Sequence, residues 1–159
     1  MKVIITTDGS VSKNGKQDAY GGIGMILQSF KNDKIVKEKE IGEKLPEMLD
    51  GCPITNNRAE MYAILKGLEE ITGKNCTIEV HSDSELCIKT LNGEYSRKTN
   101  TDLWERLDKR CEELKNRGCS IMFIWVRGHS DNEVNIRADK LAGKAKRGDK
   151  LASKAKRGV

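Results

Sequence analysis

Three β-type segments separated by short gaps open the chain, and they restrict the possible folds more than any other feature. The segments are KVIITT (2–7), AYGGIGMILQS (19–29) and DKIVKEKEIG (33–42). The gaps are too short for the crossover helix that parallel neighbours require, so an antiparallel meander is expected. The glycines of the second segment do not fit the G-x-G-x-x-G pattern of dinucleotide-binding loops, and we predict a bent or bulged strand there.

The hydrophobic period changes after residues 42–57, which contain prolines and glycines and are interpreted as a long loop. Apolar residues then recur at helical spacing from Met61 to Ile71, and Gly73 is expected to end this helix. A strand (76–83), two helices, a strand apolar on both faces (120–126) and a helix from about Glu133 follow. The order βββαβααβα predicts an α/β fold with a five-stranded mixed sheet, antiparallel in its first three strands and then parallel, flanked by helices.

The composition suits one charged globular domain. The chain has 159 residues, of which 36% are hydrophobic and 33% charged, and it contains no apolar run long enough for a membrane span. The start, MKVIITTDGS, does not resemble a signal peptide. Five scattered cysteines without C-x-x-C spacing argue against a disulfide framework or a zinc site. We therefore expect a cytoplasmic monomer that makes no membrane contact.

The C-terminal end contains nearly the same decapeptide twice. DKLAGKAKRG (139–148) is followed by DKLASKAKRG (149–158), and the copies differ only at Gly143 and Ser153. The formal net charge of the chain is +5, whereas residues 144–159 alone carry +6. A polyanionic partner or a solvated helix end would both explain this charge. We predict a domain over residues 1–147 and a basic tail over residues 148–159.

Four acidic residues form a candidate metal site. Asp8 and Asp83 each follow a predicted strand, and parallel neighbouring strands would bring both carboxylates to the carboxyl edge of the sheet. Glu60 lies in the first turns of a helix and Asp139 in the last helix. Each acid alone also fits a turn, a helix cap or a solvated surface position. Four converging carboxylates would repel one another, and a hard cation such as Mg²⁺ or Mn²⁺ would relieve that repulsion.

Five stretches together resemble the type 1 ribonuclease H family, in the family's order and on its element pattern. They are TDGS (7–10), TNNRAE (55–60), HSDS (81–84), DLWERL (102–107) and WVRGHSDNEVNIRADKLA (125–142). The resemblance spans residues 1 to about 142, so the predicted domain over residues 1–147 would be a ribonuclease H domain. It implies an endonuclease that hydrolyses the RNA strand of RNA–DNA hybrids and leaves 3′-hydroxyl and 5′-phosphate ends.

The resemblance also implies roles for individual residues. Asp8 would bridge two Mg²⁺ ions, for which Mn²⁺ could substitute, and Asp139 would share the ion that activates the attacking water. Glu60 and Asp83 would hold the ion on the leaving-group side. His129, in the loop before the last helix, would move protons or help product leave, as its near-neutral intrinsic pKa allows.

Four polar residues match positions that contact phosphate or sugar in the family. They are Asn14, Thr55, Asn56 and Asn57. Short polar side chains can hydrogen-bond a nucleic-acid backbone or a 2′-hydroxyl. The alternative interpretation is that these side chains cap loops and helix ends.

The second copy of the decapeptide is not expected to add a catalytic residue. If the last helix continued, Asp149 would lie ~15 Å farther along the axis than Asp139 and about 80° round it. Gly148 would also tend to end the helix. Asp149 is therefore interpreted as a copy of a catalytic residue outside the site.

The chain departs from many relatives in lacking a basic protrusion that grips the DNA strand. The corresponding interval, residues 84–101, offers only Lys89, Arg97 and Lys98, which is typical of the handle-less variety of the family. We hypothesise that residues 144–158 partly replace the protrusion. Two other functions remain open from the sequence: a non-catalytic nucleic-acid-binding module, and a DNA resolvase or transposase core on the same fold.

Overall fold

A five-stranded mixed sheet forms the centre of the molecule, as predicted. The computed structural model describes residues 1–46, 48–49, 51–128, 132–148 and 154–156. The sheet strands are β1 (Lys2–Ser12), β2 (Tyr20–Lys31), β3 (Lys34–Lys44), β6 (Thr77–Ser82) and β7 (Ser120–Trp125), and two short strands, β4 (Met48–Leu49) and β5 (Cys52–Pro53), pair separately. Their order in the sheet is β3-β2-β1-β6-β7, antiparallel from β3 to β1 and parallel from β1 to β7.

Four helices follow the predicted order. They are α1 (Asn56–Glu69), α2 (Glu85–Leu91), α3 (Thr101–Asn116) and α4 (Glu133–Lys146). None of the helices in the described ranges combines the length and hydrophobicity that a bilayer crossing needs. The stretch predicted as one long loop is shorter than expected, because β3 extends to Lys44 and the β4–β5 pair lies within it. Only residues 92–100 connect α2 to α3, and no helix is inserted there.

The helices cover the two faces of the sheet unequally. A Cβ atom at Gly67 of α1 would come within 2.7 Å of the Ile5 side chain, so α1 packs on that face of β1. Gly22 and Gly24 of β2, which pair with Ser10 and Asp8, lie on the other face, where α4 packs. Helix α4 contacts β1, β2 and β3. The sheet therefore separates α1 from α4, and any site shared by the two helices must lie at the end of the strands.

Strand β7 is less covered than its sequence predicted. Met122 is 54% exposed and Trp125 is 46% exposed, although both lie in the run that is apolar on both faces. The prediction of a strand covered on both sides is therefore wrong. The reason is positional, because β7 forms the edge of the sheet next to β6.

Helix α1 ends earlier than its apolar pattern predicted. The last helical residue is Glu69, and Gly73 lies beyond it. The Arg110 guanidinium on α3 donates hydrogen bonds to the carbonyl oxygens of Leu68 and Ile71, at 3.1 and 2.8 Å. A side chain on another helix thus donates to carbonyl groups at and just beyond the end of α1.

A sixth strand joins the sheet at its β3 edge. Strand β8 (Lys154–Lys156) pairs antiparallel with Glu38–Glu40 of β3. It lies in the segment predicted as the basic tail. At these three residues the backbone of the tail pairs with the sheet.

Candidate active site

Three of the predicted acids meet at the carboxyl edge of the sheet. Carboxylate oxygens of Asp8, Glu60 and Asp83 all lie within 4.8 Å of one another. Strands β1 and β6 are parallel neighbours paired up to Thr7 and Ser82, so the next residue of each strand reaches the same edge. Strand β1 does not end at Asp8 as expected but continues to Ser12 alongside β2.

Gly9 brings Glu60 to this edge. Its amide donates hydrogen bonds to Asp8 Oδ1 at 3.0 Å and to Glu60 Oε1 at 3.2 Å. A Cβ atom at Gly9 would lie only 3.0 Å from Ala59 Cβ and 3.1 Å from the Glu60 nitrogen. The absence of a side chain at Gly9 therefore lets the start of α1 approach β1 closely.

Asp139 approaches the cluster from the opposite face of the sheet. Gly24, the pairing partner of Asp8, lies directly under α4, and a Cβ atom there would clash with the Ala138 carbonyl oxygen. A Cβ atom at Gly22 would also clash with the α4 backbone. This close packing brings the exposed Asp139 carboxylate near enough to the Asp8 carboxyl to contribute to the raised pKa of Asp8.

The bulge expected at the glycines of the second strand is not found there. Strand β2 pairs without interruption with β1 and β3 from Gly22 to Gly24, and the irregularity in its pairing lies between Ser29 and Phe30. The glycines are instead sites of close backbone approach between β2 and α4.

The acids disfavour one another's ionisation. Burial, followed by the neighbouring Glu60 carboxylate, raises the pKa of Asp8 to about 10. Burial and the Asp83 carboxylate likewise raise the pKa of Glu60 above its usual range. Glu60 Oε2 is buried and has no hydrogen-bond donor among the described residues. A hard divalent cation would supply the missing partner and favour the charged carboxylates, so the residues fit Mg²⁺ or Mn²⁺.

The predicted substrate-contact residues surround the start of α1. Thr55 is the N-cap of the helix, and its hydroxyl accepts a hydrogen bond from the Arg58 amide at 3.1 Å. The Asn56 amide donates to Asn14 Oδ1 at 2.7 Å. Asn57 is exposed and lines a cavity of about 210 Å³ between α1, α2 and the start of α3. Asn14 and Thr55 thus cap the helix, and Asn56 and Asn57 are exposed in its first turn.

Two residues of the matching motifs form a structural link that the sequence did not reveal. The Arg58 guanidinium is buried and donates to both carboxylate oxygens of Asp102, at 3.1 and 2.7 Å. It also donates to Asn100 Oδ1 at 3.0 Å and to the Leu49 carbonyl at 2.8 Å. The hydrogen bonds from Arg58 lower the pKa of the Asp102 carboxyl to about 2. Arg58 therefore fixes the start of α1 against α3 and the β4–β5 segment. The only sequence feature that could have indicated this role is the position of Arg58 within the TNNRAE stretch.

Two residues discussed from the sequence fall outside the described ranges. His129 lies in the undescribed segment 129–131, and Asp149 lies in the undescribed segment 149–153. The loop before α4 is described up to Gly128. The predicted roles of both residues stay predictions.

The mixed sheet, its helices and the acids at its edge have the architecture of the ribonuclease H fold. The family model described as RNase H matches residues 1–147. Ribonuclease H of Clostridium botulinum strain Hall is 35% identical over 158 residues, which covers 91% of this chain and 95% of that protein. Ribonuclease H of Paramagnetospirillum magneticum is 38% identical over 153 residues, with 88% and 86% covered.

Solved structures agree with this match. RNase H1 from the halophilic archaeon Halobacterium salinarum NRC-1 has a TM-score of 0.68 and 27% identity, covering 91% of this chain and 97% of that chain. LC11-RNase H1, solved in complex with an RNA/DNA hybrid, has a TM-score of 0.67 and 26% identity, covering 92% and 97%. The chain belongs to the ribonuclease H family and is an enzyme of that class, so the type 1, handle-less assignment is confirmed.

Proposed function

We propose that this chain is an endonuclease that hydrolyses the RNA strand of RNA–DNA hybrids, using two divalent ions and leaving 3′-hydroxyl and 5′-phosphate ends. One observation carries the proposal: carboxylates from β1, α1 and the end of β6 converge within 4.8 Å, with one buried oxygen of Glu60 lacking a donor among the described residues. A protein that only binds nucleic acid has no use for acids clustered beside phosphate groups. Similarity to an enzyme solved with an RNA/DNA hybrid supports the choice of substrate.

We assign each of the four acids a role in binding the two ions from its position. The Asp8 carboxylate clusters with those of Glu60 and Asp83, and Asp139 also raises its pKa, which suits a ligand shared by two ions. Glu60 and Asp83 would hold the ion on the leaving-group side, and Asp139 would hold the ion on the side of the attacking water. Bound Mg²⁺ or Mn²⁺ supplies the positive charge that stabilises attacking and departing oxygens in an in-line displacement.

The start of α1 would orient the hybrid. Asn14 uses its side-chain oxygen for the Asn56 amide, which leaves its amide group to donate to a phosphate. The exposed Asn56 and Asn57 side chains would donate to the sugar–phosphate backbone or a 2′-hydroxyl. Asn57 and Thr55 lie at the same helix end as Glu60, so contacts there would set the position of the scissile bond over the acids.

Substrate and metal dependence test the proposal directly. End-labelled RNA–DNA hybrid, double-stranded DNA and double-stranded RNA are incubated with Mg²⁺, Mn²⁺ or a chelator. We expect cleavage of the hybrid alone, in its RNA strand, only with a divalent ion. Cleavage of double-stranded DNA would favour a resolvase-type activity, and hybrid binding without cleavage would favour a binding module. Either result would overturn the proposed reaction.

His129 is proposed as a proton carrier rather than a metal ligand. His129→Ala should slow turnover by roughly ten- to a thousandfold without abolishing it, which is the lower range of general acid–base contributions. Steady-state and single-turnover rates separate a chemical role from a role in product release. An unchanged multiple-turnover rate would assign His129 to the surface.

A further inference from the structure

Trp125 contacts the candidate site, although neither the motif analysis nor the proposed chemistry gives it a role. Its indole Nε1 donates a hydrogen bond to the main-chain carbonyl of Asp83 at 3.2 Å. Trp125 is the last residue of β7 and is 46% exposed. It therefore lies at the carboxyl edge of the sheet, where the acids also lie. The hydrogen bond of the indole N–H accounts for the placement of this large, partly exposed side chain.

The residues after Trp125 also contact Asp83. The Val126 amide donates to the Ser82 carbonyl at 2.9 Å and continues the β6–β7 pairing by one residue. A Cβ atom at Gly128 would lie 3.0 Å from Asp83 Oδ2 and 3.5 Å from Asp83 Cβ, so the backbone of Gly128 packs directly against this side chain. Residues 125–128 therefore contact both the main chain and the carboxylate of Asp83.

Asp83 depends on such contacts more than Asp8 does. Asp8 lies within β1, where pairing with β2 continues beyond it to Ser12. Asp83 lies one residue beyond the end of β6, and the pairing of β6 with β1 ends at Ser82. The direction of the Asp83 carboxylate is thus set by neighbours outside the regular ladder, and a hydrogen bond to its carbonyl restricts the backbone that carries it.

We propose that Trp125 is a positioning residue, whose indole N–H fixes the Asp83 backbone so that the carboxylate points toward Asp8 and Glu60 and the acids bind a divalent ion more tightly. This inference rests on the proposed function, because it assumes that the acids bind such an ion. Trp125 would act without touching the ion or the scissile phosphate.

Tryptophan fluorescence offers a test that needs no turnover. The chain contains two tryptophans, and the other one, Trp104, is buried in α3. Trp104→Phe leaves Trp125 as the single emitter, and Ca²⁺ or Mg²⁺ is added without nucleic acid. We expect a saturable change in emission that disappears when Asp8→Asn is added to the same background. Saturable ion binding measured by calorimetry with no change in emission would contradict coupling between Trp125 and the acids.

Ion affinity measured by titration calorimetry tests the direction of the effect. Trp125→Phe keeps an aromatic ring but removes the donor, and it should weaken Mn²⁺ binding by about three- to tenfold, the equivalent of one hydrogen bond. Met122→Leu is the matched control, since Met122 is similarly exposed on the same strand, and its affinity should equal that of the wild type. Thermal unfolding confirms that each variant is folded at the titration temperature.

The outcomes separate this inference from the proposed function. Wild-type affinity in Trp125→Phe, with binding still abolished by Asp8→Asn, would overturn the role of Trp125 and leave the metal site intact. Equal Mn²⁺ binding in the wild type and in Asp8→Asn would overturn the metal site and the positioning role together. If Trp125→Phe does not fold, the emission change in the Trp104→Phe background decides the question.

Discussion

The two copies of the decapeptide have nearly the same sequence, but the described residues of the second copy differ in backbone conformation from their counterparts in the first. The first copy forms the end of α4, which is followed by Gly148 with φ of 80°. In the second copy, Lys154–Lys156 form strand β8 beside β3. The tripeptide Lys-Ala-Lys is therefore helical at positions 144–146 and extended at positions 154–156.

Packing explains the helical state of the first copy better than local propensity does. The face of α4 that contains Ala138, Ala142 and Ala145 is buried, and its backbone lies against Gly22 and Gly24 of β2. A helix of this length is marginal in water without such packing. The second copy meets a different neighbour, the open edge of β3, where main-chain pairing is available to almost any sequence.

Replacing the first aspartate of each copy should give the largest difference in cleavage activity between the two copies. We expect Asp139→Asn to lower hybrid cleavage by about two orders of magnitude or more, because charge stabilisation by a metal ion contributes several kcal/mol. Asp149→Asn should retain nearly all activity. Initial rates at fixed Mg²⁺ compare the two variants. Equal losses would show that the second copy also serves the site.

A proline introduced into each copy should lower the free energy of unfolding by different amounts. Ala145→Pro should cost about 3 kcal/mol or more, because proline removes a helical hydrogen bond and Ala145 is buried against β2. Ala155→Pro, at the equivalent position of the second copy, should cost at most one strand hydrogen bond, about 1 kcal/mol. Urea unfolding monitored by circular dichroism measures both values. A smaller loss for Ala145→Pro than for Ala155→Pro would contradict the assignment of the first copy as the packed one.

Deleting residues 149–159 tests whether the second copy binds the hybrid. The deletion keeps Gly148 at the end of α4 but removes four cations, Lys150, Lys154, Lys156 and Arg157. If two to four of these contact phosphates, the plot of log K against log salt should flatten by about one to three units. The single-turnover rate at saturating hybrid should survive, because no proposed metal ligand is removed.

Two other results of this deletion would change the interpretation. An unchanged affinity and an unchanged salt slope would show that the second copy does not bind the hybrid. Loss of saturated turnover would show instead that β8 is needed to keep the sheet and α4 in place.

Making the two copies identical should have the smallest effect. Gly143→Ser converts the first copy into the sequence of the second, and a Cβ atom at Gly143 would meet only the Arg147 side chain, at 3.7 Å. We expect α4 to remain helical, activity to be unchanged, and stability to rise by up to about 0.5 kcal/mol from helix propensity. Loss of helix signal in circular dichroism would show that the Gly143/Ser153 difference, rather than packing, decides the conformation.

Much of the fold was predictable because its signals are local. Alternating and helical hydrophobic patterns gave the order of strands and helices, and the short gaps gave the antiparallel start. The convergence of Asp8 and Asp83 followed from the parallel pairing of their two strands, which stops at Thr7 and Ser82, directly before the two acids. The nearness of Asp139 was implied by the family resemblance, since nothing local relates α4 to β1.

The missed features depend on contacts between residues far apart in the chain. Gly24 was interpreted as a source of strand irregularity, although its importance comes from the α4 backbone that lies over it. The Leu68 carbonyl near the end of α1 accepts a hydrogen bond from Arg110 on α3, and Arg58 near the start of α1 donates to Asp102. Trp125 was taken as part of a covered strand, because a sequence pattern does not tell an edge strand from a central one.

The sequence by itself determined which segments become strands and helices, which residues carry carboxylates, and where the charge of the chain accumulates. Only the tertiary structure decided which conformation the Lys-Ala-Lys tripeptide adopts in each copy and how close α1 and α4 approach Asp8. The physical reason is that local propensities differ by fractions of a kcal/mol per residue, whereas burial against a specific partner contributes several kcal/mol. Identical residues therefore form a helix where β2 offers two glycines and a strand where β3 offers an open edge.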